Sequence, residues 1–477
     1  MSSTAKLSAR DRIAGLLDES SFVEIGALVT KRNTDFNLAQ TEAPSDGVIT
    51  GYGLIDGSLV YVYSQDAEVL NGTMGEMHAN KIVNIYDLAL KVGAPVIGLV
   101  DCAGMRLQEA TDALAGFGKV YLKQSMASGV VPQITAVFGT CGGGCAVSAA
   151  MSDFTFMPEE GARLFVNSPN AVEGNFTGKC DTSAAKFQAA AGTVDVVKED
   201  EAQVLASIRT LVSFLPSNNE TDCVTDCTDN LNRATAAFAE EICDPAVALA
   251  DIADDNNFFE LKAEYAKEMV TGFLRLNGTT VGAVANRSAV LDENGKKTAS
   301  FDTALTADGC KKAASFVSFC DAFEIPVVTF TNVTGYAAAM QEEKTVAAAA
   351  AGLTNAFASA TVPKVNLICG AAMGSAYITM NSKHIGADLV FALEDAKIGM
   401  MDASLAAQIM YAGESEAVRK EKSAEYESLQ GSAVSAAKRG YVDSIISADA
   451  VRQQLVYAFE MLYTKREARP SKKHGTV

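Results

Sequence analysis

Two short runs hold residue types at spacings that could do chemistry. Pro132–Cys145 reads PQITAVFGTCGGGC, and Pro363–Ala376 reads PKVNLICGAAMGSA. Each begins with a compact apolar stretch (Ile134–Phe138 and Val365–Cys369) that predicts a buried strand. Each then passes through a glycine-containing stretch (Gly139–Gly144 and Gly370–Ser375) into a predicted helix, the small-residue Cys145–Met151 in the first and Ala376–Asn381 in the second. A glycine-rich passage from strand to helix leaves backbone N–H groups without an intrahelical partner. The missing side chains let a substrate carbonyl come close to them. A pair of such donors aimed at an oxygen that gains charge is the usual stabiliser of acyl chemistry. By repeat position, Gly143 and Gly144 in the first run pair with Gly374 and Ser375 in the second. The plainer reading is a glycine turn that serves only close packing, but its recurrence at matched positions favours two sites. Neither run is a P-loop, because no Gly-Lys-Ser/Thr follows, and neither fits the dinucleotide fingerprint.

What the chain lacks narrows the reaction. Its 477 residues include only 3 His, namely His78, His384 and His474, so a Ser–His triad or a His-based metal centre has few candidates and no metal is expected. Ten Cys are scattered in mostly apolar runs and read as reduced thiols of a cytoplasmic protein. Cys223 and Cys227 stand alone in a polar stretch, where an incidental pair is the plainer reading. With 39 Lys and Arg against 58 Asp and Glu, the net charge of −19 argues against a nucleic-acid or anionic-membrane surface. No stretch reaches the ~18 apolar residues of a membrane span. Met1–Ile13 carries charges and lacks the apolar core of a secretion signal. Two acyl oxyanion sites without a nucleophile, a metal or a His base point to chemistry on two carbonyl compounds.

The elements that would position these runs are themselves duplicated. Leu16–Ile25 matches Ile252–Leu261, Ile49–Ser64 matches Val270–Ala285, and Ala94–Gly104 matches Ile325–Gly335, in the same order as the two glycine runs. Asp56-Gly57 and Asn277-Gly278 sit between apolar runs and predict hairpins. Helical spacing over Ala79–Val92 and Gly309–Phe323 precedes the short strands Val96–Val100 and Val327–Thr331. The pattern is α/β, with two homologous domains over residues 1–240 and 241–477 joined through the turn-rich stretch Ser217–Asn230.

These blocks together resemble the carboxyltransferase subunits of biotin-dependent acyl-CoA carboxylases, transcarboxylases and sodium-pumping acyl-CoA decarboxylases. The likeness runs from Leu16 to the C-terminal KKHGTV and is most specific in Asp46–Gly57, Ser64–Ile82, Leu88–Gly118, Ala127–Gly144, Leu215–Asn219 and Cys320–Phe330. The resemblance implies two tandem homologous crotonase (ClpP)-like domains, the first for acyl-CoA and the second for biotin. It places Gly143 and Gly144 on the oxygen of the thioester enolate, and Ser375 and Ala376 on the ureido oxygen of biotin. Gly104, Arg106, Gly142, Gly374, Tyr377 and Ile378 would line the substrate side, and Gly335 and Gln341 the biotin side. Carboxybiotin would supply the CO2 and its ureido nitrogen would take the α-proton, so no His is needed. An apolar Ile378 suits a short acyl group such as acetyl or propionyl. No biotin-acceptor Met-Lys-Met occurs, so biotin would arrive on a separate carrier protein. A biotin carboxylase or a membrane decarboxylase subunit would be the further partner. The family also pairs the first domain of one subunit with the second of another, so a homo-oligomer is expected, a hexamer of ~300 kDa for a 50.0 kDa chain.

The sequence departs from the family pattern in three places. Lys179–Phe187 replaces a Glu-Glu-Leu-Gly-Gly-Ala…His stretch. Thr334–Ala339 (TGYAAA) replaces Pro-Gly-Phe-Leu-Pro-Gly, and Ala371–Tyr377 replaces Arg/Lys-Ala-Tyr-Gly-Gly-Ala-Tyr. Arg106 is read either as a CoA-pocket residue or as the ion-pair partner of Glu109. Lys81, Lys119 and Lys123 could meet CoA phosphates or form a solvated helix face, and His78 and His384 are read as packed structural residues. Two rivals stay open beside the carboxyltransferase: a single-substrate crotonase-type enzyme, a CoA hydrolase or isomerase, and a non-catalytic scaffold that docks a biotin carrier or membrane partner.

Overall fold

The computed structural model describes residues 6–32, 41–175 and 180–470. Lys179, and the C-terminal KKHGTV with His474, lie outside the described residues. The chain forms two compact units, Met1–Cys223 and Val224–Val477, and they part inside the polar stretch Ser217–Asn230.

Each unit is built on one eight-stranded sheet, and the two sheets have the same topology. In the first, the order is Val23–Glu24, Val48–Ile55, Ser58–Gln65, Val96–Cys102, Gln133–Gly142, Phe154–Pro158 and Val196–Lys198, with Arg163–Phe165 also on Gln133–Gly142. In the second it is Phe258–Leu261, Met269–Leu276, Thr279–Asn286, Val327–Val333, Lys364–Met373, Leu389–Leu393 and Ser444–Ile446, with Lys397–Gly399 also on Lys364–Met373. The first three strands of each are antiparallel and the rest parallel. The hairpins turn where Asp-Gly and Asn-Gly predict. Asp56 and Gly57 have φ 47° and 81°, and Asn277 and Gly278 have 52° and 73°, the paired positive values that a two-residue hairpin loop demands.

The central strands are buried over almost their whole length, as parallel strands covered by helices must be. The covering helices Glu76–Val92 and Ala307–Ala322 begin earlier than their apolar spacing predicts. In the second, the Thr306 hydroxyl accepts the Gly309 N–H at 2.9 Å and so fixes the start. The alanine run lies in a helix, Val346–Ser359.

Each covering helix also sends one lysine inward at the same repeat position, a feature the sequence reading missed. Lys81 donates to the carbonyls of Ser45 and Val48, and Lys312 donates to those of Lys262 and Tyr265, both at 2.8 Å. Burial lowers the Lys81 amine to about 8 and the Lys312 amine to about 7. Lys81 is thus neither a phosphate ligand nor part of a solvated face. It ties the segment before the first hairpin to the helix, and Lys312 does the same in the second unit.

His78 lies in a buried polar chain of the first unit. Its backbone N–H donates to Asp46 at 2.7 Å, and its ring sits between the Asp46 carbonyl at 2.9 Å and the Gln65 amide at 3.1 Å. Gln65 Oε1 accepts the Asp101 N–H, so its amide nitrogen faces the ring and donates to Nε2. The neutral imidazole then keeps its proton on Nδ1 and gives it to the Asp46 carbonyl. Burial lowers this imidazole to about 3. The unfolded chain therefore binds a proton below its ordinary value of about 6.5, while the folded chain does not until about pH 3. Stability from this residue is complete above pH 6.5 and is lost as pH falls toward 3, by at most about 1.4 kcal/mol per pH unit. A His78→Gln variant is expected to be less stable at pH 7 but to lose less stability than the parent between pH 6.5 and 4.5. Urea midpoints across that range test this, and equal slopes for the two proteins would contradict it.

Candidate functional site

The glycine runs are not free loops. The strand Gln133–Gly142 continues through Gly139, Thr140 and Cys141, and Lys364–Met373 likewise continues through Gly370. Sequence reading ends both strands too early, because it does not foresee the small strands Arg163–Phe165 and Lys397–Gly399, which pair with the extensions. The register against the preceding strand shifts at the same place in both units, between Val100 and Cys102 in the first and between Thr331 and Val333 in the second.

At each shift one side chain takes over a backbone partner. Asp101 Oδ1 accepts the Thr140 N–H at 3.2 Å, and Asn332 Oδ1 accepts the Ala371 N–H at 3.0 Å. Those oxygens occupy the space a side chain would need at the preceding residue. A Cβ on Gly139 would lie 1.9 Å from Asp101 Oδ1, and one on Gly370 would lie 2.5 Å from Asn332 Oδ1. Lys6 and Arg12 hold the second Asp101 oxygen at 2.6 and 3.4 Å.

The turns themselves fall at Gly143 and Gly374, with φ of 59° and 62°. Gly143 has ψ −121°, a combination that side-chain-bearing residues rarely adopt. The helices Gly144–Ala150 and Gly374–Thr379 follow. One expected donor is corrected by this geometry. The Gly143 N–H already donates to the Phe165 carbonyl at 2.9 Å, so Gly143 shapes the turn, as Gly374 does, and does not serve as an oxyanion donor. The N–H groups that begin the helical turn, without an intrahelical acceptor, are those of Gly144 and Cys145. They correspond by repeat position to Ser375 and Ala376. Gly144 itself must be glycine, because a Cβ there would lie 2.9 Å from both Phe117 Cδ1 and the Tyr121 hydroxyl.

The remaining candidates divide. Gly142 packs under the Phe165 ring, which a Cβ would approach to 3.1 Å. Gly104 has φ 116°, and its carbonyl accepts the Met74 N–H. Arg106 is 1% exposed, and its guanidinium is engaged by Asp46 at 2.6 Å, Glu109 at 2.8 Å and the Thr73 carbonyl at 2.7 Å. It braces the fold and does not present itself to a ligand, which corrects its place among the substrate residues. Ser375 and Ile378 are exposed and Ala376 is buried. Tyr377 is buried with its hydroxyl unpartnered among the described residues, and burial pushes this phenol up to about 12. Its ring packs edge-on against His384, which also packs on Tyr441. Gly335 is half-buried in a two-residue strand paired with Ala304–Leu305, and a Cβ there would meet nothing within 4 Å. Gln341 is exposed and bonded to Lys344, while Glu342 accepts the Ala307 N–H at 2.7 Å. Lys119 bonds to Asn80 and Lys123 to Asp87. Among the described residues no cluster of three or more His, Cys, Asp or Glu could hold a metal ion, and no helix is long and apolar enough to cross a membrane.

The sequence reading missed Asp101, Asn332, Tyr121 and Thr379. The signal for the first two was a polar residue inside each matched strand, at the same repeat position.

Residues 2–477 match the carboxyl transferase domain family. The chain is 39% identical to the methylmalonyl-CoA decarboxylase subunit alpha of Propionigenium modestum, covering 99% of this chain and 93% of that one. It is also 39% identical to the propionyl-CoA carboxylase beta chain of Roseobacter denitrificans, covering 99% of this chain and 94% of that one. Among solved structures it is similar to transcarboxylase 12S, described as a hexamer assembly with hydrolysed methylmalonyl-coenzyme A bound. The TM-score is 0.92 at 34% identity, over 99% of this chain and 92% of that one.

The two glycines of the first run are expected to respond differently to a methyl group. Gly139→Ala drives Cβ into a braced carboxylate and should cost about 3 kcal/mol or more. Gly143→Ala meets no atom within 4 Å and carries only the strain of its backbone angles, about 1–2 kcal/mol. Denaturant midpoints of the two variants decide this, and a reversed order would remove the steric role given to Asp101.

Proposed function

The chain belongs to the carboxyl transferase family, and from that premise we propose that it moves a carboxyl group between biotin, carried on a separate protein, and a short acyl-CoA such as propionyl- or methylmalonyl-CoA. The observation that carries this reading is the duplicated turn: a positive-φ glycine at the same position of each unit, followed by two N–H groups at the start of a helical turn. A hydrolase acting on one thioester has no use for the second turn.

In this reading Gly144 and Cys145 hold the thioester oxygen as it gains charge, and Ser375 and Ala376 hold the ureido oxygen of biotin. The second turn fits such a group. Ser375 is exposed, and the Tyr377 hydroxyl, unpartnered among the described residues, belongs to the residue just past the N–H pair. Biotin supplies the carboxyl group and the nitrogen base, which accounts for a chain whose buried His78 is held neutral inside a structural network. The same donors stabilise the same charge in both directions, so carboxylation or decarboxylation is set by the partner, a biotin carboxylase or a membrane decarboxylase subunit, acting on the biotin carrier protein. An apolar Ile378 near the second turn suits acetyl or propionyl groups.

We also infer a homo-oligomer, a hexamer by the likeness to transcarboxylase 12S. Leu114, Leu122 and Met126 form a spaced apolar stripe along the helix Ala110–Ala127, each more than half exposed, which suits a surface covered by another subunit.

Purified protein is expected to release propionyl-CoA from methylmalonyl-CoA only when free biotin is present, and to do little with a C16 acyl-CoA. Ser375→Pro, which removes one N–H, should lower this turnover roughly 10²–10³-fold, while Ser375→Gly should keep most of it. Turnover independent of biotin, or loss of activity in Ser375→Gly with the fold intact, would favour the hydrolase instead. Light scattering should give a mass of ~300 kDa, six times the 50.0 kDa chain, and a monomer at micromolar concentration would remove the assembly.

A further inference from the structure

The carbonyl at the same repeat position in each unit is held by a side-chain hydroxyl. In the first unit the Tyr121 hydroxyl donates to the Gly144 carbonyl at 2.7 Å. In the second the Thr379 hydroxyl donates to the Ser375 carbonyl at 3.1 Å. Thr379 is held in turn by the Tyr336 hydroxyl at 3.1 Å and lies 3.1 Å from that of Thr354. A hydroxyl has one proton, and Thr354 has the Ala350 carbonyl at 2.8 Å for its own. With the Thr379 proton on Ser375, Tyr336 is the donor to Thr379. The order is therefore Tyr336 to Thr379 to Ser375.

The carbonyl of Ser375 and the N–H of Ala376 belong to one planar peptide and point in opposite directions. A hydroxyl that fixes the carbonyl therefore fixes where the N–H points, and a hydrogen bond on the oxygen also makes that N–H a better donor. The same holds for Gly144 and Cys145. Burial pushes the Tyr121 phenol up, so it stays a proton donor at neutral pH.

We propose that Tyr121 in the first unit, and Thr379 backed by Tyr336 in the second, are positioning residues that aim the Cys145 and Ala376 N–H groups at the two oxyanions. The link through Tyr336 also joins the Gly335 segment to the second turn, so what binds at that segment reaches the donor through two hydroxyls. This proposal rests on the carboxyl-transfer reading above.

The test uses the full-length oligomer and biotin-dependent release of propionyl-CoA from methylmalonyl-CoA. A misaimed donor acts on charge that develops during reaction, so kcat should fall and KM should stay. Tyr121→Phe and Thr379→Val are each expected to lower kcat roughly tenfold, with both KM values within about twofold of the parent. Thr379→Ser restores the hydroxyl and should restore kcat. Tyr336→Phe should lower kcat less, and adding it to Thr379→Val should cost nothing more, because the chain is already broken. Unchanged kcat in Tyr121→Phe and Thr379→Val, or a fall that Thr379→Ser does not reverse, overturns the proposal. If the parent itself shows no biotin-dependent release, the carboxyl-transfer reading fails, and the clamp is then judged on crystal structures. Those of Tyr121→Phe and Thr379→Val are expected to show the Gly144–Cys145 or Ser375–Ala376 peptide rotated, and an unrotated peptide in both overturns it.

Discussion

Thr140 and Ala371 each donate a backbone N–H to a side chain on the neighbouring strand, to Asp101 and to Asn332. Much of the site depends on that exchange. The strand register breaks there in both units, and a side-chain oxygen satisfies the group that the ladder leaves open. The oxygen fills the space beside Gly139 and Gly370, so neither position tolerates a Cβ. Past the break each strand pairs with a new short strand, Arg163–Phe165 or Lys397–Gly399, which carries it to the turn at Gly143 or Gly374. The first of these strands also consumes the Gly143 N–H through the Phe165 carbonyl and so moves the available donors one residue onward.

The two units keep this device but brace it differently. In the first, Asp101 is a carboxylate, and Lys6 and Arg12 are drawn in to balance it. In the second, Asn332 is a neutral amide and needs no counter-charge. Its backbone N–H donates to the side-chain oxygen of another amide, Asn286, at 3.1 Å. The first unit spends further charge on Arg106, Asp46 and Glu109, a buried group whose removal one member at a time would leave an unpaired ion. These charged groups hold the sheet and covering helix in place. In the proposed reaction the two oxyanions fall to backbone N–H groups and the base to the cofactor.

The repeated architecture was plain in the residues. Asp56-Gly57 and Asn277-Gly278 announced their hairpins because only such pairs reach two positive φ angles cheaply. The apolar strands and the helical spacing over Ala79–Val92 announced an α/β sheet, and the matched blocks announced two copies. Less visible was the extension of the glycine runs as strand, because pairing with a distant short strand leaves no local signature. The inward lysines Lys81 and Lys312 were also hidden, since a helical pattern does not tell which charged residue meets a carbonyl cage on a neighbouring segment.

Local residue chemistry determined where the chain could turn, which stretches were apolar enough to be buried, and that two similar small-residue turns would recur. Each of these depends on a few neighbouring residues, so the linear order contains it. Tertiary structure decided which N–H groups remain available, because that depends on a carbonyl brought from Phe165, and it decided that Arg106 would be enclosed by Asp46, Thr73 and Glu109. It also decided that Tyr121 and Thr379 would hold the same peptide in the two units, one from a separate helix and the other from the next helical turn. A hydrogen bond saturates a specific donor, and only the folded chain fixes which acceptor reaches it first.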